Sequence, residues 1–197
     1  MTVVLRKYRD GNLEAIVDLI NKADALDHLD EGTDASAFRE LLHRPDFDPY
    51  NDAFVVLDED QSVVGHARLD LKNAPRQARF YVHTVVHPDW RDEPIEELLL
   101  EQLWNSAQER RRTLGSKPVQ FRTYCAAHQG KRISLFGKLG LHPCATISTW
   151  SITPSTTWQI RRFHPAFGCV HMPGARMTSP PWKSPTLPSP MSGTSQQ

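Results

Sequence analysis

The stretch that most constrains the fold runs from Arg79 to Leu114. Arg79-Phe-Tyr-Val-His-Thr-Val-Val86 is apolar on both faces, as a strand near a sheet centre must be. A short turn follows. From Pro94 to Leu114, Ile95, Leu98, Leu99, Leu103 and Ala107 then recur along one side of a helix. Asp92, Glu93, Glu96 and Glu97 stand at its start and Arg110, Arg111 and Arg112 near its end, the signs that suit the helix dipole. Pro94 is placed for a first helical turn. A central strand followed by an amphipathic helix fits a mixed α/β domain.

The surrounding patterns extend that scheme. Val3 to Tyr8 reads as a strand, and Asp10 precedes a helix carrying Leu13, Ile16, Val17 and Ile20 on one face. Thr33 or Asp34 caps a second helix with Phe38, Leu41 and Leu42 inward, ended by Pro45 and Pro49. Phe54–Leu57 and Val63–Leu69 flank the charged turn Asp58–Gln61, a hairpin pattern. Val119–Cys125 alternates as a strand. Lys131–Leu139 reads as a short helix stopped by Gly140, and Cys144–Ile152 as a last strand. The predicted order is β-α-α-β-β-β-α-β-α-β, a mixed α/β domain.

Composition changes after Trp150. The chain has 197 residues, with 23 Lys/Arg and 23 Asp/Glu. Residues 1–150 hold 19 of the bases and all 23 acids, so the overall neutrality is a cancellation. Residues 1–150 are expected to form one domain. Residues 151–174 leave room for one more strand through Trp158, Ile160 and Phe163. Residues 175–197, rich in Pro, Ser and Thr, are expected to be disordered. That basic tail lacks the dense Lys/Arg run of a nucleic-acid binder. No run of ~18 apolar residues offers a membrane span, and the charged N-terminus argues against a secretory signal. Three cysteines, Cys125, Cys144 and Cys169, make neither a disulfide framework nor a four-ligand metal site. A cytoplasmic protein without a metal is expected.

Two motifs then resemble the GNAT superfamily of acetyl-CoA-dependent N-acetyltransferases. One is Thr84-Val-Val-His-Pro-Asp-Trp-Arg91 followed by Pro94-Ile-Glu-Glu-Leu-Leu99. The other is Ile133-Ser-Leu-Phe-Gly-Lys-Leu-Gly-Leu141. The resemblance implies a central mixed sheet flanked by helices, acetyl-CoA as co-substrate, and a primary amine of a small molecule or peptide as acceptor. It places the acyl-pantetheine arm along Thr84, Val85 and Val86, and the pyrophosphate at the loop Arg91, Asp92, Glu93, Pro94, Ile95 and Glu96. Ser134 and Phe136 on the short helix complete the implied cofactor site.

The loop departs from the family pattern. Where the family has two glycines, this chain has Pro94, which lacks an N–H, and Glu96, which brings negative charge to an anion site. Phe136 stands where the family often has a tyrosine that protonates the leaving thiolate. His83 and Tyr124 are the candidate base and acid. From Arg110 to Lys138 there are eight basic residues and no acidic one, a region suited to a phosphorylated nucleotide. From Asp10 to Asp60 there are 15 acidic residues, an approach that would attract a cationic amine. The alternative to an enzyme is a GNAT-fold binding protein whose cofactor loop has decayed. Monomer and homodimer are both open.

Overall fold

The computed structural model describes residues 2–29, 32–147 and 167–171. They form a sheet with helices on both faces. The strands are β1 (Val4–Lys7), β2 (Ala53–Leu57), β3 (Val63–Asn73), β4 (Ala78–Val86), β5 (Val119–Ala126), β6 (His142–Ile147) and β7 (Phe167–His171). The helices are α1 (Leu13–Asp27), α2 (Ala35–Leu42), α3 (Pro49–Asp52), α4 (Ile95–Arg111) and α5 (Gly130–Lys138). Sheet order is β1-β2-β3-β4-β5-β7-β6. The β4–β5 pair is parallel and the other pairs are antiparallel.

Alternation along β2 divides the core. Phe54 and Val56 join the cluster under α4, with Phe80, Val82, Leu99 and Leu103. Ala53, Val55 and Leu57 face the other way, against Ile16 and Val17 of α1 and Phe38 and Leu42 of α2. The burial of β4, buried and half-buried in strict alternation, matches a central strand with α4 on one side. Gly65 on β3 sets how closely α4 can dock. A Cβ there would lie 2.9 Å from Ile95 Cγ2 and 3.2 Å from Val56 Cβ.

Some boundaries differ from the sequence reading. Pro49 does not end α2; it opens α3 at the first helical position, with Asp48 accepting from the Tyr50 N–H at 3.1 Å. The buried Asp52 that closes α3 pairs with Arg110 of α4 at 2.6 Å. Helix α4 begins at Ile95 and ends at Arg111, because Pro94 stands at its cap position. The strand β7 at Phe167–His171, outside the expected Trp158–Phe163 stretch, inserts between β5 and β6. The Trp158–Phe163 stretch, the end of the expected Cys144–Ile152 strand and the 175–197 tail lie outside the described residues. Among the described residues no helix is long and apolar enough to cross a membrane.

Candidate active site

The parallel ladder between β4 and β5 stops at Val82 and Thr123, although both strands continue. The peptide groups of β4 beyond that point therefore divide by parity. His87 donates its N–H to Val64 O on β3 at 2.9 Å. Alternation turns the peptide groups of Val85 and His83 toward β3 as well, and those of Thr84 and Val86 toward the gap. An unpaired strand edge thus lies open beside the N-terminus of α4.

A cleft of about 920 Å³ opens at this gap. His83, Thr84, Val85, Val86 and Tyr124 line it from the strands, and Arg91, Asp92, Glu93, Pro94 and Glu96 from the turn and helix start. Three residues expected in the cofactor site, Ile95, Ser134 and Phe136, do not line this cleft. Ile95 is buried beneath α4 against β3. Phe136 has no exposed surface and belongs to the core. Ser134 is exposed on α5, because the inward side of that helix is taken by Arg132, Leu135 and Phe136.

Three cations around the cleft, Arg91, Lys131 and Arg132, are paired with carboxylates. Arg91 makes a bidentate contact with Asp27 at the end of α1, at 2.6 and 2.8 Å. Gln129 donates to the same carboxylate at 2.8 Å, and His128 Nε2 to the Asp27 carbonyl at 2.8 Å. Asp27 therefore ties together α1, the β4–α4 turn and the β5–α5 loop. Lys131 contacts Asp92 at 2.8 Å, an exposed pair that draws the Asp92 carboxyl below its usual range. Arg132 meets Glu96 at 2.6 Å and also donates to the Thr84 carbonyl and hydroxyl, at 2.8 and 2.7 Å. Its guanidinium lies 5.3 Å from the Phe136 ring centre. Arg132 thus occupies part of the open strand edge.

The helix start is also short of free donors. The N–H groups of Glu93 and Ile95 are bonded to Trp90 and Glu93 carbonyls at 3.2 and 2.8 Å, and Pro94 has none. Carboxylates at Asp92, Glu93, Glu96 and Glu97 crowd the same turn.

On the opposite face of β4 stands a titratable pair. His83 Nε2 lies 3.2 Å from Asp70 Oδ2. A carboxylate can only accept, so Nε2 carries the proton and Nδ1 remains the ring's acceptor. Burial lowers the His83 pKa, and Asp70 opposes that by hydrogen bond and charge. The net effect leaves a neutral imidazole at pH 7. Burial would raise Asp70, but the His83 hydrogen bond and the charges of Arg68 and Arg44 outweigh it and hold the carboxyl well below its usual range. Tyr124 reaches this pair from β5, its ring centre 6.2 Å from that of His83 and 6.0 Å from that of the parallel Tyr81 ring.

Comparison with protein-family models and with curated sequences finds no match. Solved structures do match. A GCN5-related N-acetyltransferase from Sphaerobacter thermophilus aligns with TM-score 0.61 at 20% identity, over 72% of this chain and 44% of that one. The ribosomal-protein-S18-alanine N-acetyltransferase from Escherichia coli aligns with TM-score 0.61 at 14% identity, over 89% and 96%. Arabidopsis thaliana Naa50, solved with the bisubstrate analogue CoA-Ac-MVNAL, aligns with TM-score 0.61 at 15% identity, over 88% and 99%.

The chain has the GNAT fold.

At these identities the likeness is one of fold. Asp70 and Asp27 escaped the sequence reading. Asp70 sits in a strand pattern with nothing marking it, and Asp27 is one of 15 acidic residues in its region. Arg132 stood out only as one of eight bases between Arg110 and Lys138.

Proposed function

We propose that the protein is an N-acetyltransferase that moves an acetyl group from acetyl-CoA to a primary amine. The observation that carries this reading is the His83–Asp70 pair beside the open edge of β4. Acetyl-CoA supplies the thioester. An extended arm would run along Thr84 and Val86, whose peptide groups face the gap. That edge opens once Arg132 releases the Thr84 carbonyl. Arg91, Lys131 and Arg132 would meet its phosphates at the cost of their present carboxylate partners, and Lys138, which lines the same cleft, has no carboxylate partner among the described residues.

In this reading His83 Nδ1 takes a proton from the acceptor ammonium, and Asp70 holds the ring and steadies the imidazolium. The amine nitrogen bonds to the thioester carbonyl carbon, the C–S bond breaks, and the sulfur leaves with a proton. Tyr124 is the candidate donor of that proton. The products are an amide, free CoA and one released proton.

A second reading, a binding protein without acyl transfer, is favoured by the ion pairs that neutralise Arg91, Lys131 and Arg132. Calorimetry with acetyl-CoA separates the two. The enzyme reading expects saturable binding, and thiol release when amines are added. No heat at millimolar acetyl-CoA and no thiol release across an amine panel would overturn it.

A further inference from the structure

The face of the sheet that presents His83 is laid out by register in three rows. Asp70, Tyr81 and Arg122 form the middle row across β3, β4 and β5. Lys72, Arg79 and Gln120 form the row below it. Arg68 and His83 form the row above, with Tyr124 alongside. This surface is strongly cationic. Among the described residues of these three rows Asp70 is the one carboxylate, and it is engaged by Arg44, Arg68 and His83.

Lys72, Arg79 and Arg122 meet no carboxylate within 4.0 Å among the described residues. Lys72 and Arg79 stand directly opposite one another on antiparallel strands, an arrangement that costs stability unless a counter-charge is present. Lys72 rests its ammonium 5.6 Å from the Tyr81 ring centre, and Arg79 reaches only the neutral Gln77 oxygen at 2.9 Å. The Nε atoms of Arg79 and Arg122 are buried with no hydrogen-bond acceptor. Outside the described residues, 148–166 and 172–197 contain no aspartate or glutamate, and Asp30 and Glu31 are the acidic side chains.

We infer that the acceptor is an anionic amine, held with its carboxylate or phosphate on Arg122 and Arg79 while its amino group lies at His83. The inference rests on the acetyl-transfer reading for the role of His83. Successive rows are two residues apart along a strand, so the anionic group stands about 7 Å from the amine at Arg122 and about 13 Å at Arg79. That spacing suits a peptide amino terminus followed by acidic side chains, or a small amine ending in a phosphate. It reverses the expectation of a cationic acceptor. The acids of residues 10–60 are partly committed elsewhere: Asp34 and Asp48 cap helices, Asp52 pairs with Arg110, and Asp58 closes the β2–β3 turn.

The test uses the full chain, acetyl-CoA and four acceptors: the peptides Ser-Glu-Asp-Glu and Ser-Lys-Arg-Lys, phosphoethanolamine, and spermidine. Thiol release is measured for each, and binding of the two peptides is measured separately by anisotropy without acetyl-CoA. The acidic peptide is expected to exceed the basic one in kcat/KM and in affinity by roughly 10- to 100-fold, the scale of charge-assisted hydrogen bonds. The preference is expected to shrink with added salt. Phosphoethanolamine reacting better than the acidic peptide would assign the anionic group to a small phosphorylated amine. Arg122→Gln is expected to raise KM for the acidic acceptor about tenfold. The exposed Lys72→Gln gives the same direction with a smaller effect if the first variant unfolds. Equal turnover of acidic and basic peptides, or a preference for spermidine, overturns the inference and leaves acetyl transfer standing. Selective acidic-peptide binding without thiol release overturns acetyl transfer and leaves the anionic ligand standing. Neither binding nor release overturns both.

Discussion

His83 owes its proposed chemistry to two opposing pressures on one ring. Burial disfavours its charged form, and Asp70 favours it. A base must be neutral to accept a proton, so kcat/KM is expected to rise with pH through the His83 pKa, which lies below the ordinary 6.5. His83→Gln should lower kcat by about 10²- to 10⁴-fold while the protein still binds acetyl-CoA. Asp70→Asn removes a hydrogen bond and a charge that raise the pKa. The acid limb should therefore move to still lower pH, as pH–rate profiles would reveal. A limb that stays in place under Asp70→Asn would mean another group is the base. Tyr124 and His83 were visible in the sequence as polar residues on apolar strands. Asp70 was not, because an acid pairs with a histidine 13 positions away only once β3 and β4 are in register.

At the scale of elements, the N-terminus of α4 is the unusual part of this GNAT fold. A helix start supplies N–H groups and a positive dipole end to an anion. Here Pro94 removes a donor, internal hydrogen bonds occupy others, and Glu96 spends its charge on Arg132. The combined change Pro94→Gly and Glu96→Gly restores a donor, removes a carboxylate and releases Arg132 from its ion pair, leaving its bonds to Thr84. Acetyl-CoA affinity should rise by roughly tenfold, about 1.4 kcal/mol. Calorimetric titration of wild type and variant checks this, and an unchanged Kd would show that the acidic start of α4 does not limit binding. The helix itself and its acidic start were legible in the sequence. Its docking was not, since that depends on Gly65 admitting Ile95 to the face of β3.

The whole molecule carries a buried titratable group unrelated to the proposed chemistry. His66 is 1% exposed, packs its ring edge-on against Phe38 and shares its Nδ1 proton with the Phe54 carbonyl at 3.1 Å. Burial, then the charge of Arg68, depresses its pKa to about 3. The unfolded chain protonates this group near 6.5, so its contribution to stability is complete above that pH and is lost as pH falls toward 3. Urea denaturation between pH 6.5 and 4.5 should show stability falling with a slope approaching ~1.4 kcal/mol per pH unit from His66. His66→Gln should flatten it. A slope that His66→Gln leaves unchanged would mean that His66 is protonated in the folded protein.

The order of strands and helices from Val4 to Ile147, the short α3 excepted, is written in the chain itself. Periodicity, capping residues and prolines act locally, within a turn or a strand, and need no knowledge of the rest. The tertiary structure decided what those elements do together. It opened β4 from β5 beyond Val82, placed β7 between β5 and β6, and sent Arg132 across to Thr84 and Glu96. It also turned a scatter of bases on three strands into one cationic face beside His83. Such pairings join residues far apart in sequence, and the free energy that selects them comes from packing and charge in three dimensions.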